Sequence, residues 1–406
     1  MNKILGLSLR LATLAGKVIL ILYLTQFYGV DSVGQYGITI SIISFSVYLS
    51  GFEIYSLISR YYNSSNRGDN FAFSNQIFFS STVSILVLTL SSTYIIYFAP
   101  FIHTILIVLL LTYFEIILQE FHRILLAKGK ATQANIALFF RDGSWCYLSC
   151  LIFLIANTHK ENAIELMLFL WLICDAITMT FLFYYFYNKL NMRFSWALIF
   201  KRKQKNLILS SIPVFFSSIF LRIIVSLDKI ILSHFTSIQM VGIYTFYTNI
   251  SNALQALLDA GIVSYKYKEI LKTCRKKQSN EFMGYYKKIF LYSTVSVIVT
   301  FLISICFFYI LGFKTYIKFN YILIILLVSA IFQTLSNLIK LYSVINYKKF
   351  VFNAGGIAIL IFSSISLFSI WSPTNSAIYV ALGVLFSMIS YNIYLKWIMT
   401  KDYAIQ

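Results

Sequence analysis

The sequence predicts an all-α integral membrane protein whose twelve transmembrane helices form two parallel-repeat six-helix bundles. Three observations carry that expectation. Of 406 residues, 59% are hydrophobic and only 12% charged, about half the charge of a soluble domain, and the mean hydropathy is +0.78. Apolar runs of about twenty residues, long enough to cross roughly 30 Å of hydrocarbon, recur along the chain. The second half also repeats motifs of the first. Three prolines and 16 glycines leave long helices uninterrupted, and the alternating pattern of outer-membrane strands is absent.

In chain order the spans are expected at 5–28, 35–62, 75–97, 102–127, 135–156 and 164–188, then at 207–234, 241–265, 289–311, 321–345, 350–371 and 375–399. Residues 1–188 thus form the first bundle, 189–206 a basic cytoplasmic linker, 207–399 the second bundle and 400–406 a cytoplasmic tail. The N-terminal run, broken by Arg10 and Lys17 and lacking a small-residue cleavage site, is expected to stay as the first span. Topology follows from the 33 Lys and Arg. KRKQK (201–205) and KYKEILKTCRKK (266–277) fall on one side, whereas the opposite loops hold only Lys160, Lys314 and Lys318. This asymmetry places both termini in the cytoplasm.

VGQY (33–36) pairs with VGIY (241–244), each expected in a short outside turn after the first span of its half. QIFFSSTVSILV (76–87) pairs with KIFLYSTVSVIV (288–299), and Glu115, Gln119 and His122 align with Gln333, Asn337 and Lys340. Six spans per repeat is an even number, so both halves enter the membrane in the same sense. Binding sites in such parallel repeats sit at mid-membrane between the halves, which points to alternating access.

Arg10, Lys17, Arg141, Arg222, Lys229 and Lys340 fall inside spans. Six cations facing lipid would sum to roughly 15–20 kcal/mol, more than the net stability of a typical domain. Snorkelling suits Arg10, Arg141 and Lys340, near span ends, and Lys229 can snorkel outward or pair with another helix. Lys17 and Arg222 lie too deep for that. Arg10, Thr13 and Lys17 share one helix face, as do Ser211, Ser218, Arg222 and Lys229. The two stripes are expected to line a hydrated, anion-attracting cavity, with Lys17, Arg222, Arg10 and Lys229 as its substrate-binding cations. Glu115, Asp175, Glu53 and Asp259 also lie within spans. They either neutralise those cations as buried pairs or couple transport to a proton or sodium gradient. Asp228, Gln119, His122, Gln333 and Asn337 are orienting or pairing candidates.

Other chemistries fall away. No glycine-rich loop with lysine and serine cradles a nucleotide, the four histidines show no metal spacing, and five cysteines read as packing. No metal or cofactor is expected, and no nucleic-acid partner, because the +19 charge is spread over loops as orientation signal.

LTQFYGVDSVGQYGI (24–38), GFEIYSLISRYY (51–62), LLAKGKATQAN (125–135) and LDKIILSHFTSIQMVGIY (227–244) together resemble the polysaccharide-transporter family. That family holds the O-antigen flippases of Wzx type, in the multidrug/oligosaccharidyl-lipid/polysaccharide exporter superfamily with the MATE exporters. The resemblance spans the chain but weakens at HFTS (234–237), which lacks the usual glycine. It implies a MATE-like fold in a bacterial inner membrane and a transporter rather than an enzyme. The implied substrate is an undecaprenyl-pyrophosphate-linked oligosaccharide, with membrane lipids and other polysaccharide-assembly membrane proteins as partners. A MATE-type multidrug antiporter and an integral-membrane polysaccharide polymerase are the competing readings. The first should favour an acidic cavity, and the second needs a substantial outside loop.

Overall fold

The computed structural model describes residues 2–51, 67–98, 104–156, 163–190, 202–259 and 264–403. Every regular element among them is helical, as expected in a solvent that satisfies no free backbone N–H or C=O. Ten of these helical segments are long and apolar enough to cross a membrane. The exceptions are the expected seventh and eighth spans. The seventh supplies only a short apolar stretch, Ser211–Ser226. The eighth, from Ile238 to Leu258, is diluted by Thr245, Thr248, Asn249, Ser251 and Asn252.

The chain packs as two units, Met1–Phe215 and Phe216–Gln406. The first contains α1 (Asn2–Tyr23), α2 (Val30–Gly51), α3 (Arg67–Phe98), α4 (Ile105–Ala127), α5 (Ala131–Leu138), α6 (Ser144–Ala156) and α7 (Ala163–Leu190). Wider π-helical turns extend α1 over Leu24–Tyr28 and join α5 to α6 over Phe139–Gly143. The turn after the first span is made by Gly29, at φ 87, a left-handed conformation open to glycine. VGQY therefore lies inside α2 rather than in a turn.

Within this unit α1 lies close against the fifth span. A Cβ added at Gly143 would stand 3.1 Å from Thr13 Cα, and Tyr147 Oη donates to the Ala12 carbonyl at 2.7 Å. The core between α3, α4, α5 and α7 is built from Ile117, Phe121, Ile124, Leu125, Leu182 and Phe186. On α7, Ile173, Ile177, Phe181 and Tyr184 are exposed while Asp175, Thr178, Leu182 and Phe186 are buried. The bulky side chains facing outward are apolar, while the polar Asp175 and Thr178 are turned inward with Leu182 and Phe186.

Helix α8 (Arg202–Ser226) crosses into the second unit, which continues with α9 (Asp228–Phe235), α10 (Ile238–Leu258), α11 (Ser264–Arg275) and α12 (Ser279–Ile310). It is completed by α13 (Lys314–Lys318), α14 (Asn320–Asn346), α15 (Lys348–Leu367) and α16 (Ser376–Tyr403). The expected single span 207–234 is thus two helices, broken at Leu227. VGIY lies within α10, and the turn before it is Thr236–Ser237. The basic segment 266–277, expected as a loop, contains helix α11.

Helix α14 runs through the middle of the unit, packing on α10, α12 and α16. Ser251 Oγ donates to the Leu326 carbonyl at 2.8 Å, and Asn392 Nδ2 donates to the Phe332 carbonyl at 2.9 Å and Ser336 Oγ at 2.8 Å. These bonds tie three helices by groups that lipid cannot compete for.

Candidate functional site

The densest polar constellation lies in the first unit, where α1, α4, the π-turn and α7 meet. Successive residues on an α-helix point about 100° apart, yet Arg141 and Asp142, both in the π-turn, reach one network. Arg141 Nε stands 2.9 Å from Asp142 Oδ1 and 3.2 Å from Glu115 Oε2, and a terminal nitrogen donates to Gln119 Oε1 at 2.8 Å. Lys17 Nζ reaches the other Asp142 oxygen at 3.3 Å. Trp171 Nε1 donates to Glu115 Oε1 at 3.2 Å, and its ring stacks on Trp145 at 4.6 Å and 10°.

The cluster is graded in exposure. The Lys17 side chain is 32% exposed, Asp142 17%, Arg141 11% and Glu115 5%. Asp175, one turn beyond Trp171 on α7, is fully buried, and neither carboxyl oxygen has a hydrogen-bond partner among the described residues. Two of the three carboxyls, Glu115 and Asp142, thus take up the two bases, and Asp175 is left without one among the described residues. Such a buried group needs a proton, a cation or a moving donor to complete it.

Arg141 does not snorkel: its guanidinium is consumed by this network. Asp142, which reading the spans for isolated charges passes over, is its centre. The signal was present as an adjacent acid–base pair inside the apolar run ALFFRDGSW. The stripe of Thr13 and Lys17 is turned toward the π-turn of its own unit, while Arg10 and His122 are half-buried. Glu53 lies outside the described residues. Near the end of α4, Glu120 accepts from Gln76 and from Arg123, the latter at 2.6 Å.

In the second unit Lys229 is buried, not snorkelling: its Nζ lies 3.3 Å from Asp228 Oδ1. The same oxygen accepts the Lys229 backbone N–H at 2.8 Å, and Oδ2 accepts from Tyr244 Oη at 2.9 Å. Asp228 thereby caps α9 at the helix break and ties it to α10. A small polar chamber borders this carboxylate, lined by Thr248, Ser251, Asn252, Ser329 and Gln333. Arg222 is half-buried on α8, Asp259 half-buried at the end of α10 and Asn337 exposed. Lys340, also expected to snorkel, donates instead to Ser218 Oγ at 2.6 Å. Among the described residues no group of three His, Cys, Asp or Glu is placed to hold a metal.

A family model described as polysaccharide biosynthesis protein matches residues 5–264. Among solved structures, a lipid II flippase MurJ in an inward closed conformation has a TM-score of 0.73 at 13% identity, covering 98% of this chain and 86% of that one. An inward-facing MATE multidrug resistance transporter of the MOP superfamily has a TM-score of 0.64 at 14% identity, covering 99% of each chain. An outward-facing one has 0.62 at 13%, covering 100% of this chain and 97% of that one. At these identities the likeness concerns the fold. No curated protein sequence matches the chain.

Proposed function

Because the chain belongs to the polysaccharide biosynthesis protein family, we propose that it is a flippase for an undecaprenyl-pyrophosphate-linked oligosaccharide. The cargo is an O-antigen or similar surface-polysaccharide repeat unit. It passes from the cytoplasmic to the periplasmic leaflet of a bacterial inner membrane by alternating access between two six-helix halves, with both termini cytoplasmic. The fold, shared with flippases and transporters, supports transport rather than catalysis.

The observation that carries the reading is the graded cluster around Asp142. Lys17 is its open end, held at 3.3 Å by a carboxylate it shares with Arg141. A pyrophosphate is a stronger anionic acceptor than one shared carboxylate oxygen, so cargo competes for Lys17 and releases Asp142. Arg141 then has a surplus acceptor at Asp142, and its balance with Glu115 and Asp175 shifts. A proton or sodium ion at Asp175 compensates, linking cargo to the ion gradient, with Glu53 and Asp259 as further coupling candidates. Arg222 and Arg10 supply additional cationic contacts to acidic sugars or phosphate.

Deleting the protein should leave lipid-linked repeat units on the cytoplasmic leaflet while surface polysaccharide disappears. Lys17→Ala and Arg222→Ala should insert normally and fail to restore the glycan. Unchanged surface glycan in the deletion strain, with no substitute flippase, sinks the assignment.

One observation favours the antiporter reading: in the cluster around Asp142 the carboxyls of Glu115, Asp142 and Asp175 outnumber the bases Lys17 and Arg141, a balance that suits a cationic drug. Proteoliposomes separate the two. Gradient-driven uptake of ethidium without movement of a lipid-linked glycan would decide for the antiporter.

A further inference from the structure

Helix α11 and the start of α12 carry most of the second unit's exposed positive charge. Between 264 and 288 the sequence places Lys266, Lys268, Lys272, Arg275, Lys276, Lys277, Lys287 and Lys288 against only Glu269 and Glu281. The segment is docked. Ile270, Thr273 and Cys274 are buried, Asn346 Nδ2 holds the Cys274 carbonyl at 3.1 Å, and the helix packs on α12 and α14.

Several other bases among the described residues are held by protein partners. Arg123 pairs with Glu120, Lys17 and Arg141 with Asp142, Lys229 with Asp228, and Lys130 donates to Tyr185 Oη at 3.0 Å. On this segment Lys272, Lys276, Lys277, Lys287 and Lys288 are exposed, and none joins an ion pair among the described residues. The two acids offset only two of these eight charges, and both bond to neutral groups: Glu269 accepts from Tyr285 Oη at 3.1 Å and Glu281 from Gln278 Nε2 at 3.3 Å. Lys277 also holds a left-handed backbone, φ 55, at a helix end where glycine sits more readily. The Lys277 side chain at this turn is exposed.

The level of the patch identifies what it meets. On α12 an exposed apolar surface begins at Phe290 and continues through Leu291, Tyr292, Val295 and Ile298. Lys287 and Lys288 lie within one turn of that edge, about 3–5 Å along the axis. Lys396 Nζ sits 5.9 Å from the Tyr286 ring, and Trp397 is exposed beside it in sequence. Aromatic rings and ammonium groups at the rim of a lipid-facing band mark headgroup depth. We propose that the α11–α12 face is a binding site for the phosphate headgroups of anionic phospholipids in the leaflet it borders. A docked basic helix at this depth concentrates charge on headgroups rather than on a soluble anion.

Native mass spectrometry of the full chain in uncharged detergent tests this, with phosphatidylglycerol and phosphatidylcholine titrated separately. The wild type should retain phosphatidylglycerol preferentially. A variant combining Lys272→Gln, Lys276→Gln, Lys277→Gln, Lys287→Gln and Lys288→Gln should lose that preference by about tenfold or more. If that variant does not fold, Lys287→Gln with Lys288→Gln should still lower it by about threefold. Lys314→Gln with Lys318→Gln should leave it intact. Preference that survives the lysine changes, falls equally in the Lys314/Lys318 control, or is abolished by millimolar inorganic phosphate overturns the assignment.

Discussion

Replacing Asp142 with asparagine removes the acceptor that Lys17 and Arg141 share, and the exposure gradient sets how the loss divides between them. Breaking a buried pair by removing one partner costs about 3–5 kcal/mol. Arg141 keeps Glu115 and Gln119, so its share falls at or just below that range, about 2–3 kcal/mol. Lys17 is one-third exposed, and screening holds its share to about 1 kcal/mol or less. Asp142→Asn should therefore destabilise the first unit by about 2–4 kcal/mol. Two double-mutant cycles separate the shares, one pairing Asp142→Asn with Lys17→Met and the other with Arg141→Gln. Unfolding in mixed micelles can be followed by tryptophan fluorescence, because Trp171 bonds Glu115 inside the cluster. The coupling to Arg141 should exceed that to Lys17 by about 1–2 kcal/mol. Equal couplings, or a larger one to Lys17, would refute the gradient and the cargo-exchange role drawn from it.

Other perturbations have equally specific outcomes. A Cβ at Gly355 would lie 2.9 Å from Ser217 Cα, whereas one at Gly356 meets nothing within 4 Å. Gly355→Ala should cost about 1–3 kcal/mol and Gly356→Ala should be neutral or slightly stabilising, read as paired thermal midpoints. Asp228→Asn should cost about 3–5 kcal/mol because both ions are buried, and Tyr244→Phe about 1.5–3 kcal/mol for one bond to a charged acceptor; equal melting of both with wild type would contradict the capped break. Asp175→Asn, which loses no hydrogen bond among the described residues, should keep the wild-type midpoint within about 1 kcal/mol. Transport in proteoliposomes by this variant should no longer respond to an imposed proton or sodium gradient.

The helical architecture was legible because lipid leaves the backbone few options, so length and hydropathy alone locate most spans. The cost of isolated charges in hydrocarbon likewise drew attention to Lys17, Glu115, Asp175 and Arg222. What the spacing did not reveal was which of them meet. Regular periodicity sends Arg141 and Asp142 to different faces, and a π-turn is needed to bring both into one network. The break at Leu227 was hidden for a different reason: RIIVSLDKIIL contains neither proline nor glycine to mark it, and apolar residues run on either side of Asp228 and Lys229. Helix α11 was masked by its lysines, although Ile270 and Cys274, four apart and both buried, carry the period of a docked face. The turns slipped by a few residues: Gly29 itself, not the VGQY that follows, reverses the chain.

The break in the seventh span has a mechanical consequence. A bend in a continuous helix ordinarily strips amide hydrogens of their acceptors, and in hydrocarbon no water replaces them. Here the acceptor for the Lys229 amide is a carboxylate on the same short rod, and that rod is anchored to α10 through Tyr244. The donor freed at Leu227 is therefore satisfied inside α9 itself, and Tyr244 fastens α9 to α10 across the turn at Thr236–Ser237.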